Sequence, residues 1–316
     1  MKRQGEIDVR ESSSESSLSE RLRGVLLPFT TPFGANGEVD APALGANIER
    51  WNGTGVAGYV ALGSTGERAH LDERERMLVV EAARARVPRS LAFVVGVGEQ
   101  STRGSISEAR RAASAGADAL LVLTPHFYRA GMSQDALAEH FNAVADASRV
   151  PVILYNIPQN TGVAVAPETV ARLSEHTNIA GIKDSSGDLV NFAEMLRLAG
   201  GCREDFALLV GHAGVFYASL CAGACGGILA VGCCAPRLCV RIYEAFRAGD
   251  HALALELQWR LAPLARAVTT RFGIGGLKAA LDLAGYAGGP VRAPLRAPGT
   301  EARAEIARLL EEAEGR

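Results

Sequence analysis

Lysine is almost missing from this chain. Of its 33 basic residues only three are lysines, Lys2, Lys183 and Lys278. Also missing is any apolar run near the ~18 to 20 residues needed to cross a bilayer, so no membrane partner is expected. No block of like charge occurs and the formal net charge is -2, which leaves no basic stripe for nucleic acid. The first 24 residues lack the apolar core of a signal peptide and contain acidic residues, a poor transit peptide. A cytoplasmic protein acting on small molecules or on other proteins is the expectation. The six cysteines all fall between Cys202 and Cys239 and form no CxxC pair. They read as small buried hydrophobes rather than as a disulfide framework or a metal cluster.

What is present is a rhythm. Short runs rich in Val, Ile and Leu occur at 24–30, 58–64, 91–97, 119–125, 151–158, 179–186, 206–211 and 226–232. Runs this short suit strands of a parallel sheet buried on both faces. Helical spacing fills the gaps: Leu137, Phe141 and Val144 follow a Ser133 N-cap, Asp72 with Glu75 makes a cap-like start, and Pro167 stands where a first helical position belongs. Eight repeated βα units predict an α/β protein built as a (β/α)8 TIM barrel. The first turn, TTPFGANGEVD, lacks the GxGxxG of a doubly wound sheet. Three domain segments are expected: a disordered tail over 1–21, the barrel over 22–249, and a C-terminal helical extension over 250–316. The last carries stripes at Leu253, Leu257, Leu261 and Leu264, then Leu277, Leu281 and Ala284, then Ile306, Leu309 and Leu310.

Reactive groups of such a barrel sit at the carboxyl ends of its strands. In NIAGIKDS, alternation puts Ile179, Gly181 and Lys183 on one face and Ala180 and Ile182 on the other. If the Ile182 face meets the helices, Lys183 points into the barrel mouth. An amine in a partly desolvated site gives up its proton more easily and becomes a nucleophile, which Arg cannot do. The alternative is a structural lysine paired with Asp184. Lys278 lies in an amphipathic helix and is expected to be solvated. Tyr155, on the Ile153 face of the fifth strand, also points inward and either shuttles protons or fills the core. The turn GSTGE, residues 63–67, suits a carboxylate or phosphate, although Gly-rich βα turns are common. His126 and His212, at other strand ends, read as lining residues rather than metal ligands. The run VGCCAP after the eighth strand is a weaker candidate for a phosphate turn, with no basic partner seen nearby.

Taken together, Lys183, Tyr155 and GSTGE resemble the dihydrodipicolinate synthase / N-acetylneuraminate lyase family, over about Gly24 to Pro298. The resemblance implies a Schiff-base aldolase on a TIM barrel. Lys183 would form the imine with a 2-keto acid, Tyr155 would move protons, and Ser64 and Thr65 would hold the keto-acid carboxylate. Ser185, Gly211 and Ile228 match positions lining the same pocket. No metal or other cofactor is needed, and a homotetramer or homodimer is implied.

Within the family, dihydrodipicolinate synthases carry an Arg where YNIPQNTG has Asn160. The segments TPHFYRAGMS, GIKDSSGD and VTTRFGIGGLKAALDLAGYAGGPVRAPL look most like the 4-hydroxy-2-oxoglutarate aldolase branch. The leading expectation is therefore cleavage of a 4-hydroxy-2-keto acid to pyruvate or glyoxylate. Sugar-acid aldolases or dehydratases and dihydrodipicolinate synthase follow. Phe127 stands where the family has a relay tyrosine, with Tyr128 next to it. That departure keeps open a non-catalytic keto-acid sensor or scaffold. A metal or phosphate enzyme on the same barrel is the remaining rival.

Overall fold

Each of the eight apolar runs contains a strand: Gly24–Pro28 (β1), Gly58–Ala61 (β2), Ala92–Val97 (β3), Ala119–Leu123 (β4), Val152–Asn156 (β5), Ile179–Asp184 (β6), Ala207–Val210 (β7) and Gly226–Ile228 (β8). The structure, a computed structural model, describes residues 17–315. The strands pair in parallel in chain order and β8 returns to β1, which closes the barrel. In most runs the last residues are not strand but the first residues of the βα loops, and these loops carry the polar groups discussed below.

Both strand faces are buried because both meet apolar layers. Leu26, Val60, Val94, Leu121, Ile153 and Leu209 fill the barrel interior. Leu27, Tyr59, Val95, Val122, Leu154 and Leu208 pack outward against the helices. One strand breaks the alternation. Ile179 joins Ile182 on the helix side, contrary to the expected grouping with Gly181 and Lys183. The β5–β6 register shifts by one residue there, pairing Val152 with Ile179 but Ile153 with Gly181. Such a bulge resets the period of two. Because it precedes Gly181, the orientation of Lys183 is untouched.

The helices start where the sequence predicts. Ser133 caps Gln134–Ala147, and Asp72 and Glu75 form a reciprocal capping box on Glu73–Arg84. Pro167 is the first residue of Pro167–Leu173. The expected N-terminal tail lies mostly outside the described residues. Its last part, Leu18–Arg21, is one helical turn capped by Ser17, and the Leu22 that follows is fully buried in the interior layer. After the barrel come His251–Ala265, a π-helical turn Arg266–Arg271, Gly273–Leu283 and Thr300–Glu314. Pro263 lies inside the first of these and supplies no N–H to the helix ladder just before the π turn.

The cysteine expectation needs correction. Cys202 and Cys225 form a disulfide, with Cα atoms 6.2 Å apart. Cys225 immediately precedes β8 and Cys202 stands five residues before the neighbouring strand β7, so the barrel brings together residues that are 23 positions apart. Cys233, Cys234 and Cys239 are buried, and burial pushes their thiols up; Cys221 is exposed. Among the described residues no helix is long and apolar enough to cross a membrane.

Candidate active site

Lys183 and Tyr155 are register partners at the ends of β6 and β5. Ile182 faces the helices, so Lys183 faces into the barrel mouth, where it is 4 % exposed. Its Nζ lies 4.3 Å from the centre of the Tyr155 ring. The Tyr155 hydroxyl is 3.4 Å from Ser64 Oγ, in a 3-10 turn, Ser64–Gly66, at the end of β2. These groups line a cavity of about 310 Å³ with Thr65, Ser185, Gly211, His212, Ile228 and Asn160. All seven site residues named from the sequence therefore meet in one place.

The structural alternative for Lys183 was a pair with Asp184. The carboxylate of Asp184 is used differently: Asn156 Nδ2 donates to Oδ1 and Ser186 Oγ to Oδ2, both at 2.6 Å. Burial raises the Asp184 pKa while those hydrogen bonds oppose the rise. Adjacent strand residues point to opposite faces, so Asp184 points away from the cavity.

Gly211 shows why its position tolerates no side chain. A Cβ there would lie 1.9 Å from Ser185 Oγ and 2.9 Å from Lys183 Cε. Gly211→Ala should displace both neighbours. We expect turnover to fall at least about tenfold with a stability loss of about 1–3 kcal/mol, the usual cost of overpacking. Steady-state kinetics and a thermal melt check this, and wild-type values in both would show that the pocket wall yields.

Several sequence readings end elsewhere. His212 lines the Lys183 cavity, whereas His126 lines a neighbouring cavity of about 470 Å³ that shares only Ser64, Tyr155 and Asn160 with it. Among the described residues, no group of three or more His, Cys, Asp and Glu could hold a metal. Phe127 and Tyr128 are 73 % and 76 % exposed and stack edge to face on each other, outside both cavities. The VGCCAP turn buries its thiols behind β8, but it does have basic neighbours. Arg237, Arg241 and Arg260 line a separate cavity beside Cys234, Arg260 arriving from a different helix.

Lys278 was expected in solvent and is 1 % exposed. Its Nζ is 2.6 Å from Glu67 Oε1, donates to the Pro290 carbonyl at 2.7 Å, and lies 4.2 Å from the Phe33 ring centre. The amphipathic pattern of Gly273–Leu283 misled because the helix is wrapped by the segment after it, so its polar side also faces protein. Sequence reasoning also missed Val268, Thr269, Thr270, Ile274 and Leu277, which close the cavity from the C-terminal helices. No strand-end rule reaches them.

A buried primary amine beside a phenol and a hydroxyl, with room for a small molecule, has the groups needed for imine chemistry. Comparisons with known proteins agree. Residues 21–313 match the dihydrodipicolinate synthetase family. A 4-hydroxy-tetrahydrodipicolinate synthase of Methanothrix thermoacetophila is 39 % identical, over 92 % of this chain and 96 % of that enzyme. One of Agrobacterium fabrum is 39 % identical, over 90 % and 97 %. The crystal structure of YagE from E. coli K12, described as a prophage protein of the dihydrodipicolinic acid synthase family in complex with pyruvate, superposes with a TM-score of 0.87. It is 30 % identical, over 93 % of this chain and 99 % of that one. The expected 4-hydroxy-2-oxoglutarate aldolase branch finds no support in these relatives, the first two of which bear the synthase name. The barrel, the Lys183 pocket and the match over nearly the whole chain lead to one conclusion: this chain belongs to the dihydrodipicolinate synthetase family and is a class I carbon–carbon lyase.

Proposed function

We propose that Lys183 forms a Schiff base with pyruvate and that the resulting enamine adds to an aldehyde, the chemistry of a dihydrodipicolinate-type synthase. The observation that carries this reading is the Lys183 amine, buried 4.3 Å from the Tyr155 ring in a cavity sized for a small keto acid. The relatives' names support it, as does the pyruvate in the YagE structure.

In this reading the neutral Lys183 amine attacks C2 of pyruvate and the carbonyl oxygen leaves as water. The protonated imine then draws electrons from the neighbouring C–H bond, and loss of a C3 proton gives the enamine. Tyr155 carries protons to and from these intermediates, with Ser64 Oγ as the next group in line. Ser64 and Thr65 hold the carboxylate, and Ser185, Gly211 and Ile228 shape the wall around Lys183. Addition of C3 to the aldehyde carbonyl forms the new C–C bond, and water then hydrolyses the imine to free Lys183. No step requires a metal or another cofactor. A second copy of the chain would meet the exposed Phe127–Tyr128 pair in a homodimer or homotetramer.

A second reading runs the same steps backward, cleaving a 4-hydroxy-2-keto acid to pyruvate and an aldehyde that carries no carboxylate. One observation favours it. The dipicolinate product carries two carboxylates, one from each reactant, yet Lys183 is the only lysine or arginine among the described residues lining the cavity, and Asn160 stands at its mouth. Proton NMR in deuterated water separates the readings. Exchange of the pyruvate methyl protons reports the enamine, and its absence would sink both. Consumption of pyruvate only with a carboxylate-bearing aldehyde supports the synthase; release of pyruvate from a 4-hydroxy-2-keto acid with an uncharged distal end supports cleavage.

A further inference from the structure

The buried pair Glu67–Lys278 is a strongly charged feature next to the site that the chemistry above does not use. Its side chains are 0 % and 2 % exposed. Glu67 is the last residue of the GSTGE turn and holds a left-handed backbone, φ 53°, as does Leu62 at φ 55° on the other side of Ser64 and Thr65. For residues with a Cβ this conformation costs about 1–2 kcal/mol and persists only where the surroundings impose it. The turn's own hydrogen bonds are few: Gly66 N–H donates to Gly63 and Glu67 N–H to Ser64. From outside the turn, Thr31 Oγ1 donates to the Gly66 carbonyl at 2.7 Å, and the Glu67 carboxylate ties the turn to the C-terminal segment. Oε1 meets Lys278, and Oε2 accepts the Arg292 backbone N–H at 3.1 Å and lies 3.2 Å from His70 Nδ1. Arg292 is itself tied to Glu75 and to the carbonyls of Gly37 and His70.

We infer that Lys278 is a positioning residue. Through Glu67 it fixes the left-handed turn that presents Ser64 and Thr65 to the keto-acid carboxylate, so that the C-terminal helix Gly273–Leu283 sets keto-acid affinity from outside the barrel. The inference rests on the proposed carboxylate role of Ser64 and Thr65. A pair that served stability alone would affect melting but not substrate saturation.

The test uses the full chain with two variants, Lys278→Met and the double variant Lys278→Met with Glu67→Gln. The single variant leaves a buried carboxylate without its partner and should melt lower. The double variant removes that stranded charge and should recover much of the loss. Two readouts follow: hydrogen exchange of the Ser64–Glu67 amides, and the pyruvate concentration that half-saturates borohydride trapping on Lys183. We expect faster exchange in this segment in both variants. We also expect half-saturation to rise at least about tenfold, a loss of about 1.4 kcal/mol in affinity, with trapping still complete at high pyruvate. The defect should persist in the double variant despite its recovered melting temperature. Unchanged exchange in the folded double variant would overturn the inference, whatever the reaction. Faster exchange with unchanged half-saturation would also overturn it, by showing that the turn does not set keto-acid affinity. Absence of any adduct in the wild type would instead count against the Lys183 reading, and the exchange data would still decide whether Lys278 holds the turn.

Discussion

Lys183→Ala should give no borohydride-trapped adduct with pyruvate and lose at least about 10⁴-fold in turnover, about 5 kcal/mol of barrier. The loss is large because no neighbour can take over. Lys278 is the only other lysine among the described residues. Burial pulls its ammonium below the usual lysine range, while Glu67 pulls it back up. It is nonetheless sealed from the cavity by its contacts with Glu67, Pro290 and Phe33. Access rather than burial distinguishes the two amines. Peptide mapping of the wild-type adduct should therefore find Lys183 modified and Lys278 bare. Turnover retained by a folded Lys183→Ala protein would end the Schiff-base reading and favour a barrel that binds keto acids without reacting.

Tyr155→Phe should lower turnover by roughly 10²–10³-fold, the range of a lost general acid–base, and leave pyruvate binding close to wild type. The ring remains, so the 4.3 Å contact with Lys183 Nζ should survive. Only the hydroxyl, 3.4 Å from Ser64 Oγ, is removed. In the proposed reading the keto-acid carboxylate is held by Ser64 and Thr65 rather than by this hydroxyl. A core tyrosine with a merely satisfied hydroxyl would behave differently, costing about 1 kcal/mol of stability with turnover intact. Kinetics together with pyruvate titration of the imine separate the two cases.

The exposed mouth of the cavity is where the two proposed readings make different demands, because their substrates differ in the distal group. An amide at Asn160 can donate a hydrogen bond but supplies no charge, and a desolvated carboxylate is held far better by a guanidinium. Arg68 and Arg76 line the neighbouring cavity and are already engaged by Glu99 and Glu108, and Arg129 lies against Gly162, just beyond Asn160 in the chain. Under the proposed function, the acceptor's distal group meets this rim, away from Lys183 and Tyr155.

The strands, their order and the inward aim of Lys183 and Tyr155 were legible in the sequence, because a period of two and short doubly buried runs leave few alternatives. The Ser133, Asp72 and Pro167 helix starts were legible for a similar reason: capping is a contact among neighbours in the chain. The bulge at Ile179 was not, since a single extra residue leaves composition and pattern almost unchanged. Contacts between distant segments were the least accessible. Glu67 and Arg292 meet across 225 positions, Cys202 and Cys225 meet because β7 lies beside β8, and Thr270 reaches the cavity from beyond the barrel. No local periodicity encodes such meetings. The sequence by itself determined the barrel and the reactive pair at its mouth, through regularities of the backbone. Only the tertiary structure decided that Lys278 is buried and what closes the pocket, because both depend on which surfaces the closed barrel and its C-terminal helices turn toward each other.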